Sequence, residues 1–119
     1  MSTADPITTS IARRDGAAVV SVAGEIDLST APAFEEAIAQ ALEDNPPVLA
    51  IELSDVTFLA SVGLRILAAT NEKIGKLTRI AVVADHQAAT RPLQLTGLDS
   101  VVALYPTLDE ALTALTRNA

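Results

Sequence analysis

The sequence predicts an open α/β sandwich, and three observations support this prediction. Short apolar runs typical of buried strands alternate with segments of helical periodicity over most of the chain. The pair Asp15-Gly16 separates the first two strand-like runs and is a strong hairpin signal. Half of the 119 residues are hydrophobic but only 3% are aromatic. The core must therefore consist of Ala, Val, Ile and Leu, which suits helices packed on a sheet.

The first half of the chain predicts a hairpin, a helix and a central strand. Residues 7–13 alternate loosely, and residues 17–23 carry three valines, so the two runs are expected to pair as antiparallel strands. Ser29 or Thr30 is placed to cap a helix whose apolar stripe contains Phe34, Ile38, Ala41 and Leu42. Residues 48–53 form a nearly continuous apolar run, which indicates a strand covered on both faces. A turn is expected at Ser54-Asp55.

The second half predicts three more helical segments and two short strands. Helical spacing extends from about Ser61 to Ile74, and residues 79–83 form the next strand. Pro92 is expected either to kink the segment 88–95 or to mark the first turn of a helix that begins near Thr90. Residues 101–104 indicate a small strand, and Thr107 with Glu110 forms a capping box that opens the last helix.

Taken in order, these elements predict about four helices on a mixed, mostly parallel sheet with an antiparallel hairpin at one edge. Short connections between the later strands and helices require right-handed crossovers, which produce parallel neighbours. The length fits one domain covering residues 1–119, with its core at about residues 7–115.

Composition excludes several functional classes. A net charge of −7 argues against a nucleic-acid partner, which needs a basic surface. The absence of cysteine and a single histidine, His86, leave no thiol catalysis, zinc site or histidine relay. No apolar run reaches the length of a membrane span, and the charged opening residues are unlike a signal peptide, so we expect a cytoplasmic protein. We expect no cofactor and no enzymatic activity.

Ser61 is the strongest candidate for chemistry. It stands at the predicted start of a helix, directly after a strand, where free N–H groups and the helix dipole favour an anion. Two interpretations remain open: Ser61 is an ordinary N-cap, or it is an acceptor for phosphate. Asp27, in the loop before the first helix, is either a solvated turn carboxylate or a contact for a partner. His86 follows Asp85 in a loop and is interpreted as an exposed surface residue.

Three short segments, in this order, resemble bacterial anti-anti-sigma factors, which are STAS-domain proteins. The segments are Gly24-Glu25-Ile26-Asp27, Phe58-Leu59-Ala60-Ser61-Val62-Gly63-Leu64 and Leu95-Thr96-Gly97-Leu98. The likeness extends from about Ile7 to Leu115. The chain is most similar to actinobacterial antagonists of the regulator of an alternative stress sigma factor.

The resemblance implies a partner-switching cycle in transcription regulation. In the family, the serine at the position of Ser61 is phosphorylated by the anti-sigma factor, which is a serine kinase that uses ATP. The unmodified protein binds the anti-sigma factor and frees sigma, phosphorylation ends that binding, and a phosphatase restores it. The resemblance places the partner-binding surface at Asp27, Ser29, Thr30, Leu59, Ala60, Val62, Gly63 and Leu64.

Two positions depart from the family pattern Asp-Ser-Ser/Thr-Gly-Leu. Ala60 replaces the aspartate and Val62 replaces the second hydroxyl residue. The missing carboxylate supports a second interpretation, in which the chain binds a small ligand or nucleotide, or joins a larger regulatory assembly, without being phosphorylated. A receiver domain of two-component signalling is excluded, because the chain opens with a hairpin and its lysines, Lys73 and Lys76, end a helix.

Overall fold

The computed structural model describes residues 7–117 and contains a five-stranded sheet in the order β1-β2-β3-β4-β5. β1 and β2 are antiparallel, and every other neighbouring pair is parallel. This is the predicted mixed sheet with an antiparallel hairpin at one edge. The strands are β1 (Ile7–Arg14), β2 (Ala17–Ile26), β3 (Val48–Leu59), β4 (Arg79–Val83) and β5 (Ala103–Tyr105).

Four α-helices cover the two faces of the sheet within the described residues, as predicted. They are α1 (Ala31–Ala41), α2 (Ser61–Ile74), α3 (Gln87–Leu95) and α4 (Leu108–Arg117). Helices α1, α2 and α3 contribute to the larger apolar core, in which Phe34, Leu67 and Leu93 are fully buried. Helix α4 closes a smaller core on the opposite face, where Ala111 and Leu112 pack on β3 and β4.

The hairpin turn between β1 and β2 has the conformation that its sequence predicts. Asp15 and Gly16 both have positive φ, at 52° and 85°. Positive φ at both central residues is the requirement of a type I′ turn, whose twist matches that of the strands it joins. Ile7 on β1 lies opposite Gly24 on β2, so the hairpin is paired along its whole length.

Strand β3 is longer than the apolar run predicted, and the expected turn at Ser54-Asp55 is wrong. Only residues 48–52 of β3 pair with β4, but pairing with β2 continues through irregular register to Ile26 and Leu59. Val56 and Leu59 are buried along this extension, whereas Asp55 is exposed. The hydrogen-bonding partner supplied by β2 therefore extends the strand where local sequence favours a turn.

The region around α3 also differs from expectation. Helix α3 begins at Gln87 and contains Pro92 in its interior, so Pro92 does not lie in the first turn of a helix starting near Thr90. The chain then passes through a short 3₁₀ turn, and β5 begins at Ala103 rather than at residue 101. β5 pairs in parallel with β4, which decides where its regular structure starts.

The N-terminus of α4 is closed by the predicted capping residues. The Thr107 hydroxyl accepts a hydrogen bond from the Glu110 N–H at 3.1 Å and donates one to the Glu110 carboxylate at 3.2 Å. The glutamate thus reaches the threonine side chain rather than its backbone N–H, a variation on the standard capping box.

Candidate functional site

The candidate site lies where β2 and β3 end side by side. Ile26 and Leu59, the last residues of these strands, are register partners, and the Ala60 N–H donates to the Ile26 carbonyl at 2.9 Å. The loop that leads into α1 follows Ile26, and α2 begins at Ser61. Parallel pairing therefore brings the starts of α1 and α2 to the same edge of the sheet.

The start of α2 corrects the interpretation of Ser61 as an N-cap. The N-cap is Ala60, with φ −81° and ψ 168°, and it has no side chain that accepts a hydrogen bond from the helix. Ser61 is the first helical residue and is exposed. Within residues 7–117, neither its hydroxyl nor the N–H groups of Ser61 and Val62 have a hydrogen-bond partner. The serine is available to solvent and to a protein partner.

Close packing against Gly63 holds the start of α2 on the sheet. A Cβ at this position would lie 2.6 Å from Leu59 Cδ1 and 2.7 Å from Ile26 Cγ2. Both distances are far shorter than van der Waals contact, so only glycine fits without displacement of these side chains. Because Ile26 and Leu59 end the two paired strands, Gly63 fixes Ser61 close to the edge of the sheet.

Asp27 organises the turn that leads into α1. Its Oδ1 accepts hydrogen bonds from the Ser29 hydroxyl at 2.7 Å, the Ser29 N–H at 2.9 Å and the Thr30 N–H at 3.1 Å. The bond from the Ser29 hydroxyl is the largest cause that lowers the pKa of Asp27 below 3.8, and the Thr30 and Ser29 N–H groups act in the same direction. The carboxylate is therefore charged and held in a fixed orientation.

Neither Ser29 nor Thr30 caps α1 through its side chain, which corrects the sequence prediction. Thr30 is the N-cap residue but is 3% exposed, and its hydroxyl points back to accept from the Asp27 N–H at 2.9 Å and to donate to the Glu25 carbonyl at 2.9 Å. Thr30 thus serves the turn and is not available to a partner. No side chain caps this helix, and its first N–H, that of Ala31, donates to the Asp27 backbone carbonyl at 2.8 Å.

A shallow groove of about 440 Å³ joins these two helix starts. It brings together Asp27 and Ser29 from the turn with Ala60, Ser61 and Val62 from α2. Two further residues line it that no sequence motif indicated: Leu28, which is 79% exposed, and Arg65. Arg65 stands four residues after Ser61, and this helical spacing is the signal that identifies it.

The remaining residues predicted to bind a partner lie below this surface. Leu59 is 4% exposed, and Gly63 is buried directly against the Leu59 side chain. Leu64 is half-buried and packs against the larger core, as does Val62, although Val62 also lines the groove. The structure therefore moves Leu59 and Gly63 from the predicted contact surface to its support.

His86 is not the exposed loop residue that the sequence indicated. Its side chain is 33% exposed, and Nε2 lies 2.5 Å from the carbonyl oxygen of Val56 in the part of β3 that extends beyond β4. The His86 carbonyl also accepts from Ala89 and Thr90, at the start of α3. His86 is thus a structural link between α3 and the end of β3.

A second groove, of about 530 Å³, lies between α1 and α2, away from Ser61. Its floor is apolar and includes the buried residues Ile38 and Ile66, and its rim carries Glu35 and Lys73. Residues 7–117 contain no cluster of histidine, aspartate and glutamate suited to a metal ion. None of the helices in that range is long and apolar enough to cross a membrane.

Comparison with known proteins agrees with the family resemblance. The STAS domain profile matches residues 8–111. The chain is 52% identical over 115 residues to the anti-sigma-F factor antagonist RsfB of Mycobacterium tuberculosis H37Rv, covering 97% of this chain and 94% of RsfB. It is 58% identical to an anti-sigma factor antagonist from Mycobacterium paratuberculosis of known crystal structure, with a TM-score of 0.91 and coverage of 98% and 99% of the two chains.

A more distant structure supports the fold alone. The anti-sigma factor antagonist SpoIIAA, in its unphosphorylated form, is 16% identical and has a TM-score of 0.73, with 94% of this chain and 98% of SpoIIAA covered. The chain belongs to the STAS-domain family, among its anti-sigma factor antagonists, and is a regulatory binding protein rather than an enzyme.

Proposed function

We propose that this protein binds an anti-sigma factor of the serine kinase type, so that the sigma factor is released, and that phosphorylation of Ser61 ends the binding. In the proposed transfer, the γ-phosphorus of ATP bonds to the Ser61 Oγ as its bond to the bridging oxygen of ADP breaks, the hydroxyl proton passes to solvent, and ADP leaves. A phosphatase then hydrolyses the phosphoserine and returns the protein to its binding form. The role places the protein in the cytoplasm, where sigma factors act.

The observation that carries the proposal is the free and exposed Ser61 hydroxyl. No described residue donates to it or accepts from it, so a kinase can reach it without unfolding the helix. The names of RsfB and the M. paratuberculosis protein support an anti-sigma factor as partner. RsfB's name further supports a regulator of the sigma-F type as the specific partner.

Phosphate at this position would change the surface without refolding the chain. It adds about −1.5 to −2 charges and three acceptor oxygens. The groove around Ser61 offers apolar surface at Leu28, Ala60 and Val62, and a partner that buries this surface would have to desolvate the new charge. Local loss of affinity is therefore sufficient for the switch.

Ser61→Asp and Ser61→Ala test this proposal by calorimetry against the cognate anti-sigma factor. We expect Ser61→Asp to weaken binding by at least about tenfold, because desolvating the added carboxylate in the interface costs about 1.4 kcal/mol or more. Ser61→Ala should bind as the wild type does. Thermal unfolding of each variant alone would check that both remain folded. Equal affinities for the two variants would contradict the proposal.

A second candidate function is a STAS binding module that is never phosphorylated. Ala60, in place of the acidic residue of the family, and the apolar groove between α1 and α2 both favour it. That groove has room for a small molecule, and its rim carries one acidic and one basic group. Incubation with the genomically neighbouring kinase and ATP, followed by intact-mass measurement, separates the two functions: no added phosphate favours the binding module.

A further inference from the structure

We propose that Arg65 receives the phosphate of phosphorylated Ser61 within the same chain, so that the modified site is an ion pair along one face of α2. This inference rests on the proposed function, because it takes Ser61 as the acceptor. It adds a residue for which neither the family pattern nor the names of the relatives assigns a role.

The position of Arg65 on α2 brings its guanidinium towards Ser61. Residues four apart on a helix are surface neighbours, with Cβ atoms about 5–6 Å apart. Side chains of a helix lean towards its N-terminus, so a long side chain at residue 65 extends over residue 61 and not away from it. Both residues line the same groove, which confirms that they share this face of the helix.

Arg65 has no competing partner in the described part of the chain. No hydrogen bond or ion pair to residues 7–117 engages it, whereas Arg13 pairs with Asp44 and Arg14 pairs with Asp109. The positions next to Arg65 on the helix surface, other than Ser61, hold Val62, Ala68 and Ala69, none of which is acidic.

Of the charged residues that line the groove, Arg65 is the one suited to bind a phosphate on Ser61. Among the described residues that line it, Asp27 is the only other ionisable one, and its carboxylate already accepts bonds from Ser29 and Thr30. Ala60 adds no negative charge at the position where the family has aspartate. A guanidinium presents a planar fork of donors that matches a phosphate in two parallel hydrogen bonds.

The pair would have two consequences for the switch. The phosphate would be ordered in one orientation and partly neutralised, so phosphorylation would cost the free protein little stability. At the same time Arg65, which is exposed in the unmodified protein, would be withdrawn from any contact with a partner. Phosphorylation would then remove one positive group from the surface as well as add a negative one.

The test is a ³¹P NMR titration at low salt of protein carrying phosphoserine at position 61, incorporated during translation. The second pKa of a phosphoserine lies at about 6, and a nearby cation lowers it. We expect Arg65→Gln to raise this pKa by about half a unit, the scale of an exposed ion pair. Arg65→Lys should keep most of the lowering, because it keeps the charge while losing the fork.

Arg91→Gln is the matched control, because Arg91 is exposed on α3 and does not line the groove. It removes the same charge and should leave the phosphate pKa at the wild-type value. The pairing is overturned if Arg65→Gln has the wild-type pKa, or if Arg91→Gln raises the pKa equally. Asp27 is present in every variant, so its effect on the phosphate cancels.

A separate measurement distinguishes failure of this pairing from failure of the proposed function. Calorimetry compares the phosphoserine protein and the unmodified protein for binding to the anti-sigma factor. Equal affinities would overturn the switch at Ser61, while the NMR titration would still decide whether Arg65 pairs with the phosphate. Weaker binding by the phosphoserine protein, with no effect of Arg65→Gln on the pKa, would keep the switch and overturn the pairing.

Discussion

The starts of α2 and α4 are built in opposite ways. Helix α4 begins with a satisfied cap, in which Thr107 accepts from the Glu110 N–H and donates to the Glu110 side chain. Helix α2 begins after Ala60, which has no capping side chain, and the N–H groups of Ser61 and Val62 find no partner within residues 7–117. One helix start is closed by its own residues, and the other remains open to solvent.

Different forces hold the two helix starts in place. The α4 start depends on local hydrogen bonds, which a sequence motif encodes. The α2 start depends on packing, because Gly63 lies directly against the ends of β2 and β3 at Ile26 and Leu59. Packing beneath the helix can hold Ser61 in place while its hydroxyl stays free for another protein.

The largest effect is expected from Gly63→Ala, which attacks the packing that supports α2. The added Cβ would overlap Leu59 Cδ1 and Ile26 Cγ2, at 2.6 and 2.7 Å. Overpacking typically costs about 1–3 kcal/mol, and the better helix propensity of alanine returns up to about 1 kcal/mol. Because the Cβ overlaps two side chains, we expect the upper part of this cost and a net loss of roughly 1–2 kcal/mol in the free energy of unfolding, measured by urea denaturation.

Ala68→Ser is the control for this experiment, because Ala68 is exposed on the same helix. It should change the free energy of unfolding by less than about 0.5 kcal/mol. A Gly63→Ala protein as stable as the wild type would mean that the two strand ends yield easily, and that packing does not hold the α2 start.

An intermediate effect is expected from exchanging the two kinds of helix start. Thr107→Ala removes the α4 cap and should cost about 1 kcal/mol of stability. Ala60→Ser adds a capping hydroxyl where the backbone already has extended N-cap geometry, and it should gain up to about 1 kcal/mol. Urea denaturation of both variants measures the two changes in the free energy of unfolding. A loss of stability in Ala60→Ser would contradict the absence of a cap at the α2 start.

The smallest effect is expected at the turn before α1, which the Asp27 carboxylate organises through hydrogen bonds from Ser29 and Thr30. Ser29→Ala removes the hydrogen bond that does most to lower the pKa of Asp27. We expect carboxyl NMR titration to place the pKa of Asp27 below 3.8 in the wild type and closer to 3.8 in Ser29→Ala. Identical titration of Asp27 in the two proteins would exclude the Ser29 hydroxyl as the cause.

The lowered pKa of Asp27 also predicts how the stability of the fold changes with pH. Because the pKa of Asp27 is lower in the folded chain, the unfolded chain binds more protons as the pH falls below 3.8. The stabilisation by these hydrogen bonds is therefore complete above pH 3.8 and is lost as the pH falls through the folded value. The difference in the free energy of unfolding between wild type and Ser29→Ala should therefore decrease as the pH falls below 3.8.

Much of the fold was predictable because its signals are local. The Asp15-Gly16 turn, the stripe of α4 and the Thr107–Glu110 cap depend on residues only a few positions apart. The length of β3 was not predictable in this way, because residues 54–59 pair with β2 across the sheet. The start of α3 at Gln87, which excludes Pro92 from the first turn, was not predictable for a similar reason, since the N-cap residue His86 is tied to Val56 on β3.

The residues of the candidate site also fall into those with a local sequence signal and those whose place depends on tertiary contacts. The segment around Ser61 and its resemblance to the family were visible in the sequence, as was the loop carboxylate Asp27. Arg65 and Leu28 were missed, because their part in the site depends on two helix starts that meet at one edge of the sheet. Thr30, Leu59 and Gly63 were assigned to the surface, but neighbouring strands and helices bury them.

Turn chemistry, periodicity and capping act over a few residues, so the amino-acid sequence alone specifies the order of the elements, the hairpin, the capped last helix and the serine at the start of α2. Three further relations depend on tertiary contacts: Ala60 leaves α2 uncapped, Gly63 supports it, and Asp27, Ser61 and Arg65 share one groove. Those relations arise from the parallel pairing of β2 with β3, which brings distant residues to one edge of the sheet and is not encoded by any single segment.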